Sequence, residues 1–168
     1  MVANSPPAGA SNAELVRWVF DVLNAHDTTP LHGVYTDATT ERFPNRICDG
    51  EAAIVRYFAD LFAALPDTHW ELLLIAQQGD DVFVHWLLTG THTGAPFDGI
   101  EATGRAVAID GMDHFVVRSG RVVSNFVVFD QMQMARQIGL LPADRSLADR
   151  ALKGAFKAKT RLLRRLPG

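Results

Sequence analysis

The chain reads as an α+β fold: a cone-shaped barrel of curved antiparallel sheet wrapped round N-terminal helices, with an extra C-terminal helix. Three observations predict it. The elements run helix, helix, strand, helix, four strands, helix, so strands are grouped rather than alternating with helices. The strand from Asp81 to His92 is apolar on both sides, which calls for cover on both faces. Two β-rich runs, Ala106–Val117 and Val122–Phe129, flank Arg118-Ser119-Gly120-Arg121, a hairpin signal at the centre of the sheet.

The first helix opens on Ser11-Asn12-Ala13-Glu14, a capping-box pattern. Leu15, Trp18, Val19, Val22 and Leu23 follow at helical spacing, which carries the helix to about Ala25. Thr29-Pro30 reads as a cap with Pro at the first helical position, opening a short helix through Tyr35. Thr39–Phe43 is a short strand and Pro44 through Gly50 a loop. From Gly50, Ile54, Phe58, Leu61, Phe62 and Leu65 form one stripe that Pro66 ends.

Trp70–Gln77 and Asp81–His92 are strands joined across Gln78-Gly79-Asp80. In the second, Val82, Val84, Trp86, Leu88 and His92 share one side, and Phe83, His85, Leu87 and Thr89 the other. Helices on one face and another subunit on the other would cover both. Thr93–Thr103, rich in Gly, Pro and Asp, is an excursion at the rim, placed like a lid or pocket mouth. Asp130 reads as the cap of a helix ending at Gly139.

The hairpin register decides which side chains share a face. A three-residue loop with Gly120 in a bulge puts Asp113 opposite Val127 and Phe115 opposite Asn125. One face then carries Asp113, Phe115, Val117, Val123, Asn125 and Val127. A two-residue Ser119-Gly120 turn would set Asp113 opposite Phe126 instead; the bulged form is preferred, because Ser-Gly is a weak primed-turn signal. In either register, a carboxylate among Met112, Phe115, Val116 and Val117 has to be paired, neutral or at a wet cavity.

Composition narrows the function. With 168 residues and 48% hydrophobic content, the chain makes one domain with a single core. Residues 1–10 read as a disordered leader, 11–141 as the barrel domain, and 142–168 as a basic amphipathic helix. No apolar run approaches the ~20 residues of a membrane span. The leader is no secretory signal, and the lone Cys48 fits a cytoplasmic protein. The six histidines are scattered without metal-ligand spacing, and no metal or other cofactor is expected.

The formal net charge of −3 divides into +6 from Asp144 onward and −9 before it. An acidic body without a basic, aromatic-interleaved strip argues against nucleic acid. Leu152, Phe156, Leu163 and Leu166 form an apolar stripe in the basic tail, suited to dock on the domain itself or a sister subunit. An anionic membrane surface is the alternative for such a helix.

Several strings in order resemble the SnoaL-like polyketide cyclases of the nuclear-transport-factor-two-like superfamily. They are Asp49-Gly50-Glu51-Ala52-Ala53-Ile54, Gly79-Asp80-Asp81-Val82, and Gly90-Thr91-His92-Thr93-Gly94 with Phe97, Gly99-Ile100 and Ala102-Thr103-Gly104-Arg105. Asp113, Phe115, Gly120-Arg121-Val122, Asp130 and Gln137-Ile138-Gly139 complete the set, which spans roughly Ala13 to Leu141. The resemblance implies a cone-shaped, commonly oligomeric α+β barrel, a homodimer or higher homo-oligomer. It also implies a pocket without metal or nucleotide, and aldol ring closure of a polyketide ester. At one point the chain departs: where the cyclases carry their acid/base, Val127 stands here, and Asp113 lies near the position of a family histidine.

An aldol closure needs a base and a donor for the enolate. A carboxylate in an apolar pocket suits the first task, because desolvation raises its pKa. The candidate catalytic residues are therefore Asp113 as base, Asn125 as an oriented donor and His92 as a donor at the mouth, with Tyr35 as a second donor. Trp18, Tyr35, Phe43, Phe58, Trp86, Phe115 and Val127 are the candidate lining for a hydrophobic, polyketide-like ligand. His114 faces helices or a subunit interface. The structural alternative for Asp113 is a salt bridge to Arg105. Other functional readings are a catalytically silent binding or scaffold domain, or an epoxide-opening hydrolase or isomerase with two carboxylates and an Arg around one water.

Overall fold

A computed structural model describes residues 3–97 and 99–164. Four helices, α1 (Asn12–Asn24), α2 (Glu51–Ala64), α3 (Gln131–Gln137) and α4 (Leu147–Leu163), accompany one curved, unclosed six-stranded sheet. The strands are β1 (Thr40–Arg42), β2 (Ile47–Asp49), β3 (His69–Gln78), β4 (Asp81–Thr91), β5 (Ala106–Arg118) and β6 (Arg121–Phe129). Their order across the sheet is β2-β1-β6-β5-β4-β3. The fold is the α+β cone that the element order predicts, with two corrections. The barrel does not close, and β1 runs parallel to β6, so the sheet is mixed.

Helix α1 starts in the reciprocal Ser11/Glu14 capping box and buries Leu15, Val16, Trp18, Val19, Phe20, Val22 and Leu23 on the concave face. Side-chain amides tie both its ends to the sheet. Asn12 Nδ2 donates to the Val117 carbonyl at 3.0 Å, and Asn24 exchanges hydrogen bonds with the Trp70 backbone at 2.7 and 2.9 Å. The leader returns to this helix where the Ala3 carbonyl accepts the Trp18 indole N–H at 2.9 Å.

The short helix expected from Thr29 to Tyr35 is only a 3-10 turn, Thr29–Leu31. The Asp27 carboxylate takes the Thr29 amide, Thr29 itself does not cap, and the chain turns extended at His32. The expected loop after Phe43 contains β2, which pairs antiparallel with β1. A three-residue strand is too short to show alternation in sequence.

At the central hairpin the expected register is present, with Asp113 opposite Val127 and Phe115 opposite Asn125, but it arises differently. Ser119 and Gly120 both have positive φ, 49° and 71°, so the loop is a two-residue primed turn. The one-residue offset comes from a bulge beyond it, between the Val117–Val122 and Val116–Ser124 pairs. The bulge also corrects one side chain: Val122 is buried with Val117, whereas Val123 is turned out and 36% exposed.

The helices cover only the concave face. On the convex face Leu74, Phe83, Met112, Phe126 and Val128 are exposed. His114 lies on that convex face, stacked on Phe83 and 2.7 Å from Asp81, not against the helices. The tail helix α4 does not dock on its own domain through the described part of its stripe. Leu152 and Phe156 are 52% and 71% exposed, and α4 meets the domain instead through Asp149, whose carboxylate lies 3.8 Å from the guanidinium of Arg136 in α3. Leu166 and the side chain of Leu163 lie outside the described residues.

Candidate active site

β1 is short, yet alternation along the segment that contains it turns Thr39, Glu41 and Phe43 inward. Thr39 Oγ1 donates to the Val122 carbonyl at 2.7 Å, and Val122 N donates to the Val34 carbonyl, which pins this segment beside β6. The parallel register then sets Glu41 directly beside Asn125. One strand further on, Phe115 and Asn125 are partners, and Asp113 lies two residues along the same inner face. Three polar side chains from three adjacent strands thus meet inside the cone, each 6% exposed or less.

Asn125 is the bridge. Its Nδ2 donates to Glu41 Oε1 at 3.2 Å and to Asp113 Oδ2 at 3.3 Å. Tyr35 Oη donates to the same Glu41 oxygen at 3.0 Å. Burial pushes Asp113 up to about 7, opposed by the Trp86 indole and the Asn125 amide. Burial, reinforced by the negative charge of Asp113, pushes Glu41 up to about 8, against the stabilising hydrogen bonds of Tyr35 and Asn125. Burial and the neighbouring Glu41 also raise Tyr35 well above the ordinary phenol value, keeping its hydroxyl protonated. Burial thus favours the protonated form of both carboxyls, which titrate as a coupled pair.

A small hollow of about 50 Å³ opens on this group. Four buried polar atoms around it have no hydrogen-bond partner among the described residues: Glu41 Oε2, Asp113 Oδ1, Asn125 Oδ1 and Trp86 Nε1. The Trp86 indole is near enough to favour the Asp113 carboxylate, but not in the geometry of a formed hydrogen bond. Gly111 makes its position possible, because a Cβ there would collide with the indole ring.

Two further hollows adjoin. A middle one of about 40 Å³ shares Tyr57, Leu61, Trp86, Leu88 and Phe129 with the inner one. An outer one of about 260 Å³ shares Leu65, Phe97, Phe129 and Met134 with the middle one, and is lined also by Asn45, His92, Ile100, Gln131 and Ile138. Phe129 lines all three.

The inner hollow brings together Asp113, Asn125, Tyr35, Phe43, Phe58, Trp86, Phe115 and Val127. His92 lines the outer hollow, apart from the carboxyls, and Trp18 lines none of the three, its indole being committed to Ala3. The salt bridge between Asp113 and Arg105 does not form. Arg105 lies alongside Gly139 at the end of α3. Phe97 and Ile100 of the rim excursion wall the outer hollow.

Glu41 is the residue that sequence reasoning missed. The signal was present in its neighbour: if Phe43 faces the cavity, a period of two puts Glu41 on the same face. Among the described residues no group of three or more His, Cys, Asp or Glu is placed to hold a metal ion. What the arrangement offers chemically is a proton acceptor, a proton donor and an indole N–H round a space the size of one reacting group.

A search of curated protein sequences gave no match. Solved structures resemble the chain closely in fold. A protein designated a SnoaL-like polyketide cyclase from Jannaschia sp. CCS1 is 23% identical over 78% of this chain and 93% of its own, with a TM-score of 0.71. AclR from Streptomyces galilaeus, designated a hydroxylase, is 20% identical over 91% and 94%, with a TM-score of 0.69. IdmH from Streptomyces antibioticus, designated a polyketide cyclase, is 21% identical over 77% and 99%, with a TM-score of 0.66. At such identities these likenesses establish the cone fold alone. The family model for the SnoaL-like polyketide cyclases matches residues 13–138, three quarters of the chain, and the protein belongs to that family.

Proposed function

We propose that the protein is a cofactor-independent acid/base enzyme that closes a ring in a polyketide-like ester by an intramolecular aldol reaction, with Asp113 as base and Glu41 as acid. The observation that carries this reading is the pair of buried carboxyls held on one amide nitrogen, one near 7 and the other near 8. Between those values Asp113 is the ionised carboxyl, free to accept a proton, while Glu41 still has its own.

In this scheme Asp113 takes a proton from a carbon between two carbonyls, and the Trp86 N–H stabilises the enolate oxygen. The enolate carbon attacks the acceptor carbonyl, forming the new C–C bond, and the resulting alkoxide takes the proton of Glu41. Asp113 then returns its proton to Glu41, so the net reaction is an isomerisation. The inner hollow has room only for the reacting end, and the remainder of the substrate occupies the outer one. Glu41 thus takes the part of the acid that the family resemblance implies at Val127.

The test is proton exchange on an aryl β-ketoester in deuterated buffer, followed by NMR. Uptake of deuterium at the flanked carbon above the buffer rate, lost in Asp113→Asn, supports the assignment. Uptake equal in both proteins removes it.

A second reading, opening of an epoxide by water, draws on the same two carboxyls, which flank the inner hollow. It lacks the arginine such chemistry wants, since among the described residues none lines the inner hollow. Incorporation of labelled water oxygen into a diol product would favour it over ring closure.

The exposed apolar convex face supports a homo-oligomer, with a second copy covering Phe83, Met112, Phe126 and Val128. Among the described residues no helix is long and apolar enough to cross a membrane.

A further inference from the structure

His92 is 2% exposed, and neither ring nitrogen has a hydrogen-bond partner among the described residues. The side-chain oxygen of Asn45 is buried and unpartnered in the same way. Both line the outer hollow, whose other walls are mostly apolar, Phe97 and Phe129 among them. Buried polar atoms of native proteins are nearly always satisfied, so three orphaned ones on two residues that wall one cavity mark a place for a ligand's polar group.

We propose that His92 and Asn45 form a hydroxyl-recognition site, which takes the distal ring of a hydroxylated aromatic ligand. A hydroxyl both donates and accepts: it gives its hydrogen to Asn45 Oδ1 and accepts from the imidazole N–H. Among the described residues no Lys or Arg lines this hollow, so a carboxylate or phosphate would be desolvated there without compensation. The aromatic walls match a flat ring.

His92 is thereby a specificity residue rather than a participant in proton transfer. Asp113 is opposite Val84, and His92 lies eight residues further along the β4 line, up to about 26 Å of strand path at ~3.3 Å per residue. The inference rests on the preceding reading in one respect, that the substrate's reacting end lies inward of this hollow.

The test is titration of the full chain with 2-naphthol and with 2-methylnaphthalene, which has the same shape without the hydroxyl. The wild type is expected to bind the naphthol roughly tenfold more tightly. His92→Phe and Asn45→Leu should each reduce that ratio to less than about threefold, as expected when a hydrogen bond is removed. Asp113→Asn should leave it unchanged. Equal binding of the two probes by the wild type, or a preference that survives in either folded variant, overturns the proposal. Because Asn45 is only partly buried, Asn45→Leu decides the matter if His92→Phe fails to fold. The readout needs no turnover: loss of preference in these variants beside absent deuterium exchange would keep this site while removing the aldol reading.

Discussion

Glu41 and Asn125 are direct partners across the parallel pairing of β1 with β6, and Asn125 Nδ2 donates to Glu41 Oε1 at 3.2 Å. The same nitrogen reaches Asp113, so an uncharged amide couples two carboxyls that would otherwise face one another across an apolar hollow. The consequences of that coupling are measurable.

Turnover should follow a narrow bell against pH. Activity rises as Asp113 ionises near 7 and falls as Glu41 loses its proton near 8, the two values belonging to the pair. A profile of kcat/KM for ring closure measures it. Glu41→Gln should remove the alkaline limb and lower the rate by roughly 10²–10⁴-fold, as for loss of a general acid.

Stability should decline as the pH rises from about 4 to about 8. Both carboxyls bind protons more tightly folded than unfolded, so their favourable contribution is complete below about pH 4. It is lost as the pH passes through about 7 and about 8. Glu41→Gln keeps the acceptor for Tyr35 and removes the buried charge. Its melting midpoint at pH 9 is expected to rise by roughly 5 °C, equivalent to about 1–2 kcal/mol at this chain length, and to change little at pH 5. Calorimetry at the two pH values checks this, and equal slopes for both proteins would mean that Glu41 is not neutral inside.

Asp113→Asn should abolish exchange and closure, a loss of roughly 10²–10⁴-fold, without lowering the melting temperature at neutral pH. Asn is isosteric and uncharged, so no buried charge is left unpaired. An unfolded variant would instead mark Asp113 as structural.

Gly111→Ala should cost about 1–3 kcal/mol and displace Trp86 from the inner hollow, because the added methyl meets the indole ring. Quenching of Trp fluorescence by acrylamide, together with a melting curve, reads both effects. A variant with wild-type stability and quenching would show that the ring has room to spare.

Deleting the last twenty residues should shift the oligomer to a smaller size while leaving the melting temperature of the domain within a few degrees. The described apolar stripe of α4 faces solvent, so the domain's own core loses little with it. Light scattering measures the size, and an unchanged mass would remove α4 from any subunit contact.

Much of this molecule was legible in its residues. The capping box at Ser11, the apolar stripe of α2, the Asp130 cap and the alternation of β4 are local patterns, each decided by neighbours within a turn or a strand, and each is present. Alternation likewise set Asp113, Phe115, Asn125 and Val127 on one face, because a pleated strand turns every second side chain the same way. The bulge at Val123 was less accessible, since its effect on register could equally have come from the turn. Glu41 could not be joined to Asn125 by any local pattern: residues 84 positions apart became neighbours only through a three-residue parallel strand. The division of the cavity into an inner carboxyl chamber and an outer chamber holding His92 was likewise a matter of packing. Chain order determines which side chains face inward, whereas the curvature of the sheet and the placing of Trp86 and Phe129 decide which of those share a hollow.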